Sequence, residues 1–208
     1  MKSTNCLFFG DSITFGEYDG VHGGWVDALK RYSYDKFYNE GKNEVNVYNL
    51  GIGGESTEGL LKRLKIEIEA RTTIGTNLVF FFYGANDLVV RNGLNTMEVE
   101  QFATNLKEAI AIAHGIGAEV CLISVLPIAD AVEGIASSTG KVRTTDRILL
   151  FNEKGKAIAK ECKVDYVDLY NDFWKCKEEW LSRDGVHPNE KGYAWISEKM
   201  KVYIDRHL

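Results

Sequence analysis

The run Leu78-Val79-Phe80-Phe81-Phe82-Tyr83 is followed at once by Gly84-Ala85-Asn86-Asp87. A run with no polar face marks a strand covered on both sides, as in a parallel sheet, rather than one with a wet face. Glycine with short polar side chains then signals a turn. Working outward, shorter apolar runs recur at wide intervals: Cys6 to Phe9, Val45 to Leu50, Val120 to Val125 and Tyr166 to Leu169. The intervals between them carry helical spacing. Trp25, Val26, Leu29 and Tyr32 form one stripe and Leu60, Leu61, Leu64 and Ile68 another. Phe102, Leu106, Ile110 and Ala113 form a third, ended by Gly115 and Gly117, and Ile148 to Cys162 and Tyr193 to Ile204 supply two more. Strands alternating with helices predict a doubly wound α/β sheet, three layers thick.

The chain has 208 residues, which suits one domain spanning 1–208. With 45% hydrophobic and 26% charged residues it has the composition of an ordinary globular protein. It has no internal repeat and no low-complexity tract. Net charge is −5 and the 25 Lys and Arg are scattered, so the concentrated basic face of a nucleic-acid binder is missing. No stretch reaches membrane-spanning length, and the apolar segment near Met1 is too short for a secretory leader. Cys6, Cys121, Cys162 and Cys176 show neither a C-x-x-C pair nor zinc spacing, and Cys6 and Cys121 lie in apolar runs, as reduced core residues do. The expected location is cytoplasmic; secretion would need a leader ahead of this chain.

In open α/β sheets, ligands bind beyond the carboxyl ends of the strands. The first strand exits into Gly10-Asp11-Ser12, the second into Gly51-Ile52-Gly53-Gly54-Glu55-Ser56 and the third into Gly84-Ala85-Asn86-Asp87. The last exits towards Asn171-Asp172, and the loop before the final helix is Asp184-Gly185-Val186-His187-Pro188. Three glycine-bearing loops and one Asp/His loop are therefore expected on one edge.

A serine hydroxyl needs a base to become a nucleophile, and the base is commonly oriented by a carboxylate. Of four histidines, His114 falls at a helix end, His207 at the terminus and His22 in a glycine-rich loop with no evident acid. His187 follows Asp184 by three residues and precedes Pro188, which biases it towards extended backbone and can open the last helix. Acyl transfer also needs donors aimed at the developing oxyanion, for which a glycine N–H or a side-chain amide serves. Gly54 and Asn86 are of those kinds. Each residue alone has a plain reading: Ser12 as a helix cap, Gly54 and Asn86 as turn residues, Asp184 and His187 as a solvated helix entry. Their joint appearance at the strand exits favours the chemistry.

At these residues the chain resembles the GDSL (SGNH) hydrolase family. Gly10-Asp11-Ser12-Ile13-Thr14 is similar to its first block, with Ile in place of Leu. Asn49 to Gly54 is similar to the second, Gly84-Ala85-Asn86-Asp87 to the third, and Asp184-Gly185-Val186-His187-Pro188 to the last. The resemblance runs in family order over residues 10–188. It implies a three-layer α/β/α fold around a flavodoxin-like parallel five-stranded sheet. It also implies an esterase working through an acyl-enzyme on a small-molecule ester, short acyl or acetyl, with no cofactor and no metal. Ser12 would be nucleophile and an oxyanion N–H donor, Gly54 and Asn86 the other oxyanion donors, His187 the base and Asp184 its orienting acid. Gly51 and Gly53 lie close enough to compete with Gly54, which is chosen because it precedes the acidic Glu55. Asp11 and Asp87 are expected to hydrogen-bond in support.

Other readings stay open. A nucleotide-binding module on a flavodoxin-like sheet has the turn Gly51 to Gly54 for it, but lacks G-x-G-x-x-G and any Walker-type Gly-Lys-Ser/Thr. A metallohydrolase lacks His-Glu-x-x-His. A non-catalytic family member would be expected to have lost one of Ser12, Asn86, Asp184 and His187. For specificity, Pro127 to Lys141 is expected to form a mobile loop over an open cleft. Phe15, Tyr18, Leu88, Val89 and Val90 are either acyl-pocket residues or ordinary packing. The sequence leaves the oligomeric state unspecified.

Overall fold

The computed structural model describes residues 3–72 and 75–208. Five parallel strands form the sheet: β1 (Ser3–Gly10), β2 (Val45–Gly51), β3 (Gly75–Phe82), then β6 (Glu119–Ile123) and β7 (Asp165–Val167), in the order β2-β1-β3-β6-β7. Each apolar run read from the sequence lies in or overlaps one of them. A two-stranded hairpin, β4 (Val90–Arg91) with β5 (Leu94–Asn95), stands apart.

Alternation along the strands separates two cores. Leu7 and Phe9 of β1 and Val79 and Phe81 of β3 face α3 (Thr57–Glu69), α4 (Val99–Gly115) and α5 (Thr145–Cys162). Cys6, Phe8, Leu78, Phe80 and Phe82 face the other way, onto α2 (Trp25–Glu40) and α8 (Glu190–Asp205). Period-2 side-chain direction in a sheet with helices on both faces thus makes the three layers. Phe8 stacks on Phe80 at 4.4 Å between ring centroids and meets Trp25 edge-on at 5.0 Å. Burial pushes the thiols of Cys6 and Cys121 up to about 12, so both are inert core residues.

Three short helices escaped the periodicity: α1 (Ser12–Phe15), α6 (Tyr170–Trp174) and α7 (Lys177–Trp180). Pro188 does not open the last helix. It bridges to Leu181, and Asn189 caps α8 by accepting from the N–H groups of Lys191 and Gly192. The third apolar stripe runs on through Gly115 and stops at Gly117, which takes positive φ. Beyond β7, Asp172 sits on the surface of α6, paired with Lys175 and Lys199.

β1 lies between β2 and β3, so the chain leaves β1 in one direction and later continues on its other side. That reversal opens a crevice at the carboxyl ends of β1 and β3, where ligands of open α/β sheets bind. Ser12 follows β1 and Asn86 follows β3.

Candidate active site

A cleft of about 550 Å³ at this crevice is lined by Ser12, Glu17, Tyr18, Gly53, Gly54, Asn86, Ser137, Ser138, Thr139, Lys141, Arg143, Asp184, Val186 and His187. All five site residues expected from the sequence are here, and His187 is the one histidine lining the cleft.

Ser12 opens α1. Asp11 caps that turn, its Oδ1 accepting the Ile13 N–H at 2.9 Å, and Trp25 Nε1–H holds the turn from behind by donating to Ile13 O at 3.1 Å. First-turn N–H groups have no intrahelical partner, so the Ser12 N–H is structurally disposed towards an external acceptor.

Ser12 Oγ lies 2.7 Å from His187 Nε2, and His187 Nδ1 lies 2.5 Å from Asp184 Oδ2. Burial alone would raise the Asp184 carboxyl. The His187 ring, the N–H groups of His187 and Val186 and the Ser182 hydroxyl overcome this and hold it well below the usual carboxylate range. Asp184 is therefore ionised and can only accept. His187 must then carry its proton on Nδ1, which leaves Nε2 free to accept the Ser12 hydroxyl proton. The loop is rigid for a local reason: Asp184 Oδ1 accepts from Ser182 Oγ at 2.7 Å and from Val186 N and His187 N at 3.0 Å. Gly185 sits at φ +69, and a Cβ there would come within 2.9 Å of Val132.

The second loop turns at Gly54, at φ +77, where a Cβ would meet nothing within 4 Å. Among the described residues its N–H has no acceptor. Glu55 anchors the turn: its carboxylate takes Arg63 Nε at 2.9 Å and Tyr83 Oη at 2.6 Å, while Arg63 Nη2 donates to Leu50 O at 2.7 Å. This half-buried ion pair ties the exits of β2 and β3 together. In the sequence Glu55 serves only to align Gly54, and no motif marks Arg63.

The orientation of the Asn86 amide is set by its neighbours. Lys141 Nζ at 2.9 Å and Arg143 Nη2 at 3.4 Å can only donate, so they face Oδ1. Nδ2 then points to Asp11 Oδ2 and Glu55 O, each at 3.2 Å. Both contacts are at the long end for N–H···O, as is usual before a substrate arrives. Burial pushes the Asp11 carboxyl up to about 6, against the Ile13 N–H and His187, which lower it. Asp87 turns away from the cleft and accepts the Thr57 N–H at 2.9 Å and its hydroxyl at 2.5 Å, fixing the start of α3. Burial raises its carboxyl too.

The specificity residues divide. Tyr18 lines the cleft edge-on to the His187 ring at 5.1 Å, 61% exposed and at φ 72. Leu88 and Val89, at 0% and 1% exposed, are core residues and not an acyl pocket. The 127–141 segment does cover the cleft, through Ser137, Ser138, Thr139 and Lys141. Its flank is tied down, Val142 pairing with Val90 in both directions at 2.9 Å. Among the described residues no three His, Cys, Asp or Glu side chains gather as a metal-ligand set. Among them, too, no helix is long and apolar enough to cross a membrane.

A serine, a histidine and an aspartate stand in hydrogen-bonded series at a flavodoxin-like switch point, and the chain belongs to the GDSL-like Lipase/Acylhydrolase family, whose model matches residues 8–195. It is an esterase or acylhydrolase of that family. Among its relatives is an arylesterase of Vibrio mimicus, 26% identical over 206 residues, covering 99% of this chain and 90% of that protein. The lipase/acylhydrolase of Enterococcus faecalis is 29% identical, with a TM-score of 0.70 over 98% of this chain and 97% of that one. The psychrotrophic esterase EstA of Pseudoalteromonas sp. shares the fold, with a TM-score of 0.72, 22% identity and 97% coverage of both chains.

Proposed function

We propose that this chain, as one catalytic unit over residues 1–208, hydrolyses short-chain acyl esters, acetyl esters foremost, through an acyl-enzyme on Ser12. The observation that carries the reading is the continuous series from Ser12 Oγ to His187 Nε2 and from His187 Nδ1 to Asp184. In this scheme Ser12 Oγ attacks the ester carbonyl while His187 takes the hydroxyl proton. The tetrahedral oxygen is held by the N–H groups of Ser12 and Gly54 and the Asn86 amide. His187 returns the proton to the departing alcohol, leaving the acyl group on Ser12. A water, deprotonated by His187, then releases the acid and restores the serine.

The short acyl group is supported by the lining of the cleft, in which Val186 is the one aliphatic side chain beyond glycine. A long alkyl chain would find little apolar surface there to bury. The Vibrio relative's name and the exposed ring of Tyr18 support an aryl alcohol as one acceptable leaving group. The cytoplasmic reading rests on four cysteines that are all free. The deciding experiment is rapid mixing with 4-nitrophenyl acetate, followed by acid quench and peptide mass analysis. A burst of nitrophenol with one acetyl group on the Ser12 peptide is expected. Steady turnover with acetyl on another residue, or a rate that rises with acyl length up to long chains, overturns the reading.

A further inference from the structure

Two cations face the catalytic cleft without a carboxylate partner. Neither Lys141 nor Arg143 forms an ion pair among the described residues. Lys141 makes one side-chain hydrogen bond there, to Asn86 Oδ1 at 2.9 Å. Arg143 makes two, from Nε to Ala85 O at 2.9 Å and from Nη2 to Asn86 Oδ1 at 3.4 Å. An ammonium has three donors and a guanidinium five, so most of this donor capacity is unspent. Arg147, one turn further on, gives the contrast: it spends its donors on Leu88 O and Met97 O and does not line the cleft.

The ammonium is held in place by a closed turn. Ser137 N–H donates to Lys141 O at 2.9 Å, Lys141 N–H to Ser137 Oγ at 3.1 Å, and Gly140 N–H to Ser137 O at 2.8 Å. Among the described residues no carboxylate in the neighbourhood pairs with either cation, although Asp11 and Glu17 are close enough to favour the charged form of Lys141 in part. Asp11 is buried behind the Asn86 amide, Asp184 is filled by its four donors, and Glu17 stands beside His187, its Oε2 4.0 Å from Nε2. Burial and the nearby Arg143 and Arg91 disfavour the charged form of Lys141. An anion arriving between the two cations would relieve that cost.

We propose that Lys141 and Arg143 form an anion subsite beside the oxyanion donor Asn86, so that the preferred substrates are esters carrying a carboxylate. This rests on the reading of the chain as a Ser12 ester hydrolase. A monoanion fits better than a dianion, because Glu17 and Asp184 line the same cleft and repel further negative charge. The subsite adds charge-assisted hydrogen bonds to a part of the substrate that does not react, and that binding energy positions the ester at Ser12.

The test is a comparison of kcat/KM on matched probes. With the charge on the alcohol, 4-acetoxybenzoate is set against 4-acetoxybenzamide; with the charge on the acyl group, mono-4-nitrophenyl glutarate is set against 4-nitrophenyl pentanoate. Each ratio is corrected by the probes' own hydroxide-catalysed rates. The wild type is expected to favour at least one anionic probe by roughly tenfold, the scale of one hydrogen bond to a charged group. Lys141→Gln keeps a donor for Asn86 Oδ1 and removes the charge, so it should bring that ratio close to one. Added salt should lower the rate on the anionic probe alone. A Lys141→Gln loss that is equal on charged and neutral probes assigns Lys141 to holding Asn86 and overturns the proposal. So does a wild-type ratio near one on both pairs with neutral esters turned over normally. No turnover of any probe, with no fluorophosphonate labelling of Ser12, overturns the esterase reading and the subsite with it.

Discussion

Replacing Asp184 by Asn should harm catalysis more than deleting its side chain, and the reason lies in the count of donors around it. Oδ1 accepts three, from Ser182 Oγ, Val186 N and His187 N, while Oδ2 accepts one, from His187 Nδ1. An amide must place its NH2 at one of these positions. Against the three donors it would leave each short of an acceptor, at about 1.5 kcal/mol apiece and so about 4.5 kcal/mol in all. Against the ring it costs far less, because imidazole can move its proton to Nε2. The NH2 group therefore takes the ring side, and Nε2 becomes a donor that cannot accept from Ser12. Only about one molecule in 10³ keeps the working tautomer, so kcat should fall by roughly 10³ to 10⁴ in Asp184→Asn. Asp184→Ala leaves the ring free to choose its tautomer and should fall by less. The assay is steady-state turnover of 4-nitrophenyl acetate, with circular dichroism to show that each variant is folded. An Asp184→Asn variant within about tenfold of wild type, or one more active than Asp184→Ala, would refute the donor-count reasoning; that threshold lies well inside the expected loss.

Other expectations follow from the same geometry. Ser12→Ala should lower kcat by roughly 10³ to 10⁶ and lose fluorophosphonate labelling with the fold retained; labelling that persists on another serine contradicts the assignment. Asn86→Ala should lower kcat by about 10² to 10³ with a smaller change in KM, and a change within twofold would remove Asn86 from the oxyanion hole. His187→Ala should abolish turnover of 4-nitrophenyl acetate, whereas His114→Ala and His22→Ala should keep it; near-normal turnover in His187→Ala contradicts its role as base. Asp11 sets a stability slope. Its native pKa of about 6 stands above the ordinary 3.8, so the folded chain holds that proton more tightly, and about 3 kcal/mol of stability present below pH 3.8 is lost as pH rises through about 6. Denaturant titrations of Asp11→Asn should lack this component, and parallel wild-type and variant curves from pH 4 to 7 would contradict it.

The strands were readable because burial on both faces writes itself as uninterrupted apolar runs. The long helices were readable because one packed face leaves a stripe at helical spacing. α1 and the β4–β5 hairpin have four and two residues per element, too few to show a period. Leu88 and Val89 stay open in sequence between acyl pocket and packing because they follow Asn86, and the turn sends them into the core at once. Ser12, Gly54, Asn86, Asp184 and His187 could be read as candidates since each sits in a short motif at a strand exit or before the last helix, and they line one cleft. Lys141 and Arg143 could not be so read. They lie 55 and 57 residues from Asn86, in a polar loop with no motif. Only the chain's path, bridged by Val90 and Val142, brings them to the amide. Glu55 and Arg63 escaped for the same reason: an ion pair eight residues apart looks, in sequence, like any two solvated charges.

The Asn86 amide is where these parts act on one another. On one side stands Asp11, a buried carboxyl that is largely ionised above about pH 6; on the other stand two cations. A negative charge 3.2 Å from Nδ2 fixes the amide's orientation but opposes a second negative charge arriving at the same hydrogens. In the proposed mechanism the oxyanion is such a charge. Lys141 and Arg143 offset that repulsion from the Oδ1 side, and by donating to Oδ1 they also polarise the amide and make Nδ2–H the stronger donor. Asp11 alone would therefore position the amide at the expense of the oxyanion, and the cations alone would leave Nδ2 free to rotate out of line. Held between both, the amide is oriented before substrate binds and stays attractive to the charge that develops, which is what electrostatic preorganisation requires.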